Sequence, residues 1–376
     1  MPLHVAWRML THQKGRTALA TGGIFIAILL IFVELGFFVA VPQGGMLIYD
    51  HMRFDLLMVS NHYLFQAESG QFARARLTAA RAVAEVAQVT PVYLGGAKWQ
   101  ARGSRLKLDI SVIGIDPQAA VFAVPDIERQ ARILERPDTV LVDSATRKLF
   151  GPLTAGSTVT IAGRQVTIGG QYRLGTGFLG LGVALASAAD FFRLFAGRPP
   201  DTVNLGLVTL KSGADPDVAA RALRAALPAD MRVFTRRQLV AHEVAYWTTR
   251  TATGLIFGSG LVVSFVVGIM VLYQTLATQI TRQLPQFATL KAIGYSNRYL
   301  DAIVLIESLL IMAVAFVPAF GAALAVYALV RAQTLLPLSL TAPQLLVVLA
   351  ITLAMAVISG LLSLGGLRRA DPAAVF

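Results

Sequence analysis

The sequence contains no cysteine, so it can form neither a disulfide nor a thiolate-bound metal site. Charge is scarce as well. Asp, Glu, Lys and Arg make up 14% of the 376 residues, against about 25% in soluble domains. Apolar residues account for 55%, and the mean hydropathy is +0.63. That balance excludes an ordinary water-soluble enzyme. Acids are the rarer sign, 21 against 33 Lys and Arg, for a net charge of +12. The basic residues nevertheless stand singly, without the like-charge blocks that mark nucleic-acid-binding tails, so no nucleic-acid partner is expected. No lysine follows a glycine anywhere, so the G-x-x-x-x-G-K-[ST] phosphate loop is missing and this chain cannot cradle ATP by itself. His4, His12, His51, His62 and His242 share no ligand-like spacing, and no Ser, His and acid stand out as a triad. Catalytic, cofactor-binding and metal-binding residues are all expected to be none.

What is abundant is long apolar sequence. Four runs are each long enough to cross a bilayer: residues 17–41, 251–275, 303–330 and 344–364. The first is too long for the core of a secretory leader and reads as a retained anchor. Between the first and second runs lie residues 42–250, too many for a loop. The expected fold is an α-helical integral membrane protein with four transmembrane helices and a large α+β extracytoplasmic domain inserted between helices 1 and 2. Short basic flanks (Arg8, Lys14 and Arg16; Arg282, Lys291 and Arg298; Arg368 and Arg369) place both termini in the cytoplasm. The inserted domain is then outside, in the periplasm of a bacterium with two membranes. Residues 1–16 read as an amphipathic cytoplasmic helix, 331–343 as a short periplasmic loop and 365–376 as a cytoplasmic tail.

Within the insertion, short strands alternate with amphipathic helices. A strand at Asp55–Ser60, a helix at Gly70–Ala87 and a strand at Val89–Gln100 are echoed by a strand at Thr202–Leu210, a helix at Pro216–Leu227 capped by Asp215, and a strand at Met231–Phe234. Two such units bracketing a strand-rich middle, about 105–198, predict a module that the chain leaves and re-enters, with two lobes. Ala162-Gly163 marks a hairpin turn. Residues Gly175 to Gly180 match G-x-G-x-x-G but lack a dinucleotide-binding context and read as a loop. Arg236 to Arg250 runs into the second span with no Pro or Gly before Gly254, which predicts one continuous rod.

Three sets of residues carry mechanical meaning. Glu34 and Glu307 are acids inside apolar spans, where an ionised carboxylate costs at least about 2.5 kcal/mol. Gly254, Gly258, Gly260, Ser264 and Gly268 form a small-residue stripe suited to close helix packing. In the connection at 276–302, Pro285 and Gly294 bracket a predicted short amphipathic helix containing Gln286, Phe287, Thr289, Leu290, Lys291 and Ile293, placed like a docking element for a soluble motor.

That connection, ATLKAIGY followed by NRYL and preceded by VLYQTL, resembles the DevC-type permeases of the FtsX/MacB-like class of ABC transporters. The resemblance extends to TPVYLGGAKWQ, IGIDP, PDTVLVDSATRKLFG, LKSGADP, AYW and the closing RRADPAAVF. It implies a non-catalytic inner-membrane subunit acting as a homodimer with two copies of a separate ABC ATPase, which would bind ATP and magnesium. It also implies a coupling helix at Phe287–Gly294, a periplasmic adaptor and a TolC-like outer-membrane duct for a lipid-like substrate. Alternatives within the class are an FtsX-like regulator of a cell-wall hydrolase and a lipoprotein-releasing permease.

Overall fold

The computed structural model describes residues 14–175, 180–334 and 336–369. Residues 1–13 of the predicted N-terminal helix, most of the G-x-G-x-x-G segment and the end of the tail lie outside them. The chain divides into two compact units, Met1–Ala40 with Arg250–Phe376, and Val41–Thr249.

The first unit is helical. Long runs of Leu, Ile, Val and Ala with almost no charge leave the backbone only one way to satisfy its polar groups in an apolar medium, hydrogen bonds within each segment. Helix α1 spans Lys14–Asp50, and Thr21–Asp50 of it is long and apolar enough to cross a membrane. Three further such helices, here α7 to α9, are Ala252–Ala292, Asn297–Thr334 and Ala342–Arg369. Their shared core contains Ile24, Ile28, Ile31 and Phe32 of α1, Leu272 and Leu276 of α7, Ala315, Ala319 and Ala323 of α8, and Met355 of α9. Close approach of α1 and α8 depends on Gly36, whose missing side chain leaves the space filled by the Tyr327 ring, while the Tyr327 hydroxyl donates to the Phe32 carbonyl.

One expectation about these helices needs correction. The predicted short helix beginning at Gln286 is not a separate element. It forms the last turns of α7, which passes through Pro285 without ending. Proline removes one rung of the ladder, but its fixed φ is helical and good helix-forming residues flank it. Pro318 likewise lies inside α8 without breaking it.

The second unit is α+β, as expected. Its strands, in chain order, are β1 (Leu56–Ser60), β2 (Phe72–Ala73), β3 (Val86–Ala101), β4 (Leu108–Ile115), β5 (Thr139–Asp143), β6 (Thr158–Ile161), β7 (Arg164–Tyr172), β8 (Val183–Ser187), β9 (Thr202–Val203), β10 (Leu205–Leu210) and β11 (Met231–Thr235). Helices α2 to α6 are Ala75–Arg81, Pro125–Gln130, Ala188–Leu194, Pro216–Ala226 and Arg236–Ala245. The order β11-β1-β10-β3, antiparallel throughout, with α2 after β1 and α5 after β10, is a split β-α-β arrangement. Strand β1 is buried on both faces. Leu56 and Met58 point into the core under α2 and α5, and Leu57 and Val59 point to the opposite one. Asp215 caps α5 by accepting from the N–H of Asp217 at 2.8 Å.

Strand β3 continues past Val92 into the second lobe. There β3, β4, β8, β5, β7 and β6 pair in sequence, and β6 returns to β3 through Trp99–Ile161, closing a six-stranded barrel. The β6–β7 turn uses Ala162 and Gly163, both at positive φ, as the hairpin reading requires. The first predicted helix is shorter than expected. Gly70 sits at φ +65° and Phe72–Ala73 pair with β9, so α2 begins only at Ala75.

The predicted continuous rod is also corrected. Helix α6 gives way to a π turn at Tyr246–Arg250, and Thr251 adopts extended dihedrals, φ −111° and ψ 151°, to cap α7 through the N–H of Gly254. A threonine that can cap competes with helix continuation as effectively as a glycine would.

Candidate functional site

The segment predicted to couple to a motor has an inner and an outer part. Phe287 is 2% exposed and packs with Ile280, Leu300, Ile303, Val304 and Leu364, and half-buried Leu290 joins the same cluster. These side chains bind α7 to α8. Gln286, Thr289 and Lys291 are exposed, as is every residue from 291 to 298. Ile293 is 71% exposed. Gly294, at φ +103°, donates to the Lys291 carbonyl at 3.0 Å while Tyr295 donates to Leu290 at 3.1 Å, the Schellman closure. Tyr295 and Tyr299 stack with centroids 4.6 Å apart. The result is a stiff, basic and apolar tip standing clear of its own helix pair.

The small-residue stripe of α7 meets other helices of the first unit. A Cβ on Gly258 would stand 3.5 Å from the Phe38 ring, and one on Gly260 would stand 2.5 Å from the Glu34 carboxyl carbon. At Gly268 it would collide with the Met355 sulfur and approach Ala27 at 3.3 Å. Ser264 is 5% exposed, and Gly254 is buried at the capped start of α7. Glu34 therefore packs on the notch at Gly260. Glu307 is fully buried with Gln283 facing it, and neither of its carboxyl oxygens has a hydrogen-bond partner among the described residues.

A third constellation, in the second unit, was not foreseen. Glu243 of α6 is fully buried. Its Oε1 accepts from the Tyr63 hydroxyl and its Oε2 accepts from the Trp247 indole N–H at 3.2 Å. The Tyr63 hydroxyl also shares a 2.8 Å hydrogen bond with that of Tyr49, near the end of α1. Burial raises the Glu243 carboxyl to about 7, although both donors pull it down. Gly45 is required beside this group, because a Cβ there would lie 2.7 Å from the Trp247 Nε1. Phe65 stacks on Tyr246 at 5.1 Å and meets Trp247 edge-on at 5.2 Å, holding the π turn. At the other end of α6, Arg236 donates to the carbonyls of Tyr49 (3.3 Å) and Met52 (2.7 Å). Helix α6 thus grips the end of α1 at both of its own ends. The local signal was the Glu243–Trp247 pair, four residues apart on one helical face. Tyr49 and Tyr63 arrive only through the fold. Among the described residues, no group of three or more His, Cys, Asp or Glu could hold a metal.

Two family models match the sequence: the MacB-like periplasmic core domain over residues 17–226, more than half of the chain, and the FtsX-like permease C-terminal over residues 234–372. Among solved structures, the periplasmic region of MacB from Actinobacillus actinomycetemcomitans is similar at 12% identity and a TM-score of 0.36, covering 49% of this chain and 90% of that one. The extracellular domain of the noncanonic ABC-type transporter YknZ from Gram-positive bacteria is similar at 15% identity and a TM-score of 0.32, with coverage of 48% and 99%. No curated protein matches the chain. With both family regions in place and four apolar helices flanking the α+β domain, this chain is a multi-pass inner-membrane permease of the FtsX/MacB-like ABC transporter family, a membrane subunit that works with an ABC ATPase.

Proposed function

We propose that the chain couples its ATPase to motion of the periplasmic unit and thereby drives export of a lipid-like or amphiphilic substrate, in the manner of DevC-type permeases. It acts as a homodimer bound to two ATPase copies, with a periplasmic adaptor and a TolC-like duct completing the path. Both termini and the 291–298 tip lie in the cytoplasm. ATP and magnesium belong to the partner, in keeping with the missing phosphate loop. The observation that carries the reading is the exposed tip. Ile293 and Tyr295 offer apolar contact and Lys291 and Arg298 offer charge, on a closure that holds their backbone in one geometry.

The experiment is to reconstitute the chain in liposomes with the ABC ATPase that co-purifies with it and to measure ATP turnover with and without the permease. Ile293→Asp is expected to abolish stimulation at least about tenfold while leaving the permease folded, because an exposed substitution disturbs little else. Phe287→Asp should instead unfold the α7–α8 junction, since it buries a charge. Full stimulation by Ile293→Asp would remove the tip from the coupling path.

A further inference from the structure

Neither protonation state of Glu243 satisfies its whole surroundings. With the carboxyl ionised, Tyr49 donates to Tyr63, Tyr63 donates to Oε1 and Trp247 donates to Oε2, so every donor is used. The cost is a charge at a fully buried position with no lysine or arginine paired to it among the described residues. With the carboxyl protonated, the charge vanishes and the chain reverses: Glu243 donates to Tyr63, and Tyr63 donates to Tyr49. The Tyr49 hydroxyl must then find another acceptor. The two states carry opposite defects.

Around this carboxyl, Arg232 of β11 donates to the Tyr63 carbonyl at 3.4 Å and lies over the Phe234 ring. Tyr49 faces the carboxyl from α1, where neighbouring Asp50 lies 3.9 Å from Arg236. Tyr63 faces it from the loop after β1. On α6 itself, the His242 ring lies 5.5 Å from the Tyr63 ring and its Nε2 is 3.0 Å from the Leu64 carbonyl. Arg236 is engaged with the Tyr49 and Met52 carbonyls. The π turn contributes Trp247, with Tyr246 stacked on Phe65.

We propose that Glu243 is a proton-operated pin: protonated, it locks the C-terminal end of α6 to the end of α1 through Tyr63 and Tyr49, and ionised, it draws water into the joint and frees that end. Arg236 keeps its hold on the Tyr49 and Met52 carbonyls, so the motion is a hinge about the start of α6. The Tyr246–Arg250 turn is released with it. This regulation does not depend on what the transporter moves, and its failure would leave the export reading standing.

The test uses the full chain in lipid nanodiscs. Because the chain lacks cysteine, Gln43→Cys and Val244→Cys place a spin-label pair at two exposed positions. Dipolar broadening is expected to be strong at about pH 5.5 and to fall at least about twofold by about pH 8.5, with a midpoint near neutrality. Glu243→Gln should hold the strong broadening at both pH values, and Tyr63→Phe should show the weak form even in acid. Equal broadening in the otherwise unsubstituted chain at both pH values overturns the pin, as does an unchanged pH response in Glu243→Gln. Should the Gln variant fail to assemble, amide exchange on the natural sequence decides. Corrected for intrinsic rate, exchange in 239–250 must accelerate with pH relative to 139–143, and parallel behaviour of the two segments overturns the proposal.

Discussion

A carboxyl held at about 7 rather than the ordinary 4.5 affects stability as well as motion. The folded chain keeps a proton that the unfolded chain releases, so between about pH 4.5 and about pH 7 the native state binds more protons and stability falls as pH rises. The size is roughly 3 kcal/mol, complete above about pH 7. Denaturant unfolding of the second unit, followed in the full chain, should show that decline, and Glu243→Gln should flatten it. Other single residues show where local pattern misleads. Phe287, Leu290 and Ile293 recur every third residue and look like one face. Each three-residue step, however, falls short of a full turn by roughly 60°, so the set rotates around the helix. Phe287 ends up inside the α7–α8 cluster while Ile293 ends up in the open. Spacing alone could nominate the segment but could not say which of its side chains another protein can touch.

Elements were legible where their ends carry chemistry of their own. Asp215 before Pro216 announces α5 because a carboxylate at the N-cap and a proline in the first turn each satisfy the helix start, and Ala162-Gly163 announces its hairpin for a similar local reason. Asp215→Ala should therefore cost about 1 kcal/mol, read as a lowered midpoint in denaturant. Boundaries failed where two local rules compete. Thr251 can continue a helix or cap one, and Pro285 can stop a helix or be carried through it. In both cases either outcome satisfies the local rules, so the local sequence does not choose between them. The close crossing at Gly268 gives the corresponding prediction for packing. Gly268→Val must displace Met355, and overpacking of this kind costs about 1–3 kcal/mol, visible as a lower thermal midpoint in detergent with α7 and α9 most affected.

At the scale of the whole chain, apolar run lengths were enough to place four spans and an inserted domain, because bilayer thickness sets a length that no turn signal can imitate. Strand order was not legible. Pairings such as Trp99 with Ile161 join residues far apart in sequence, and an antiparallel pair carries no mark of its partner. Sidedness can be measured directly, since the natural sequence has no cysteine to remove. Leu149→Cys, 64% exposed in the barrel lobe, should react with a membrane-impermeant maleimide added to intact cells, and Ile293→Cys should react only after the membrane is opened. The reverse pattern would invert the topology. The barrel lobe has one more consequence. Among the described residues each of its six strands has a neighbour on either side, so the ring they form offers no loose hem to which a foreign strand could be stitched. Whatever docks on that lobe must be chosen by the shape and charge of side chains on its walls and rims, because recruitment through borrowed backbone is closed to it.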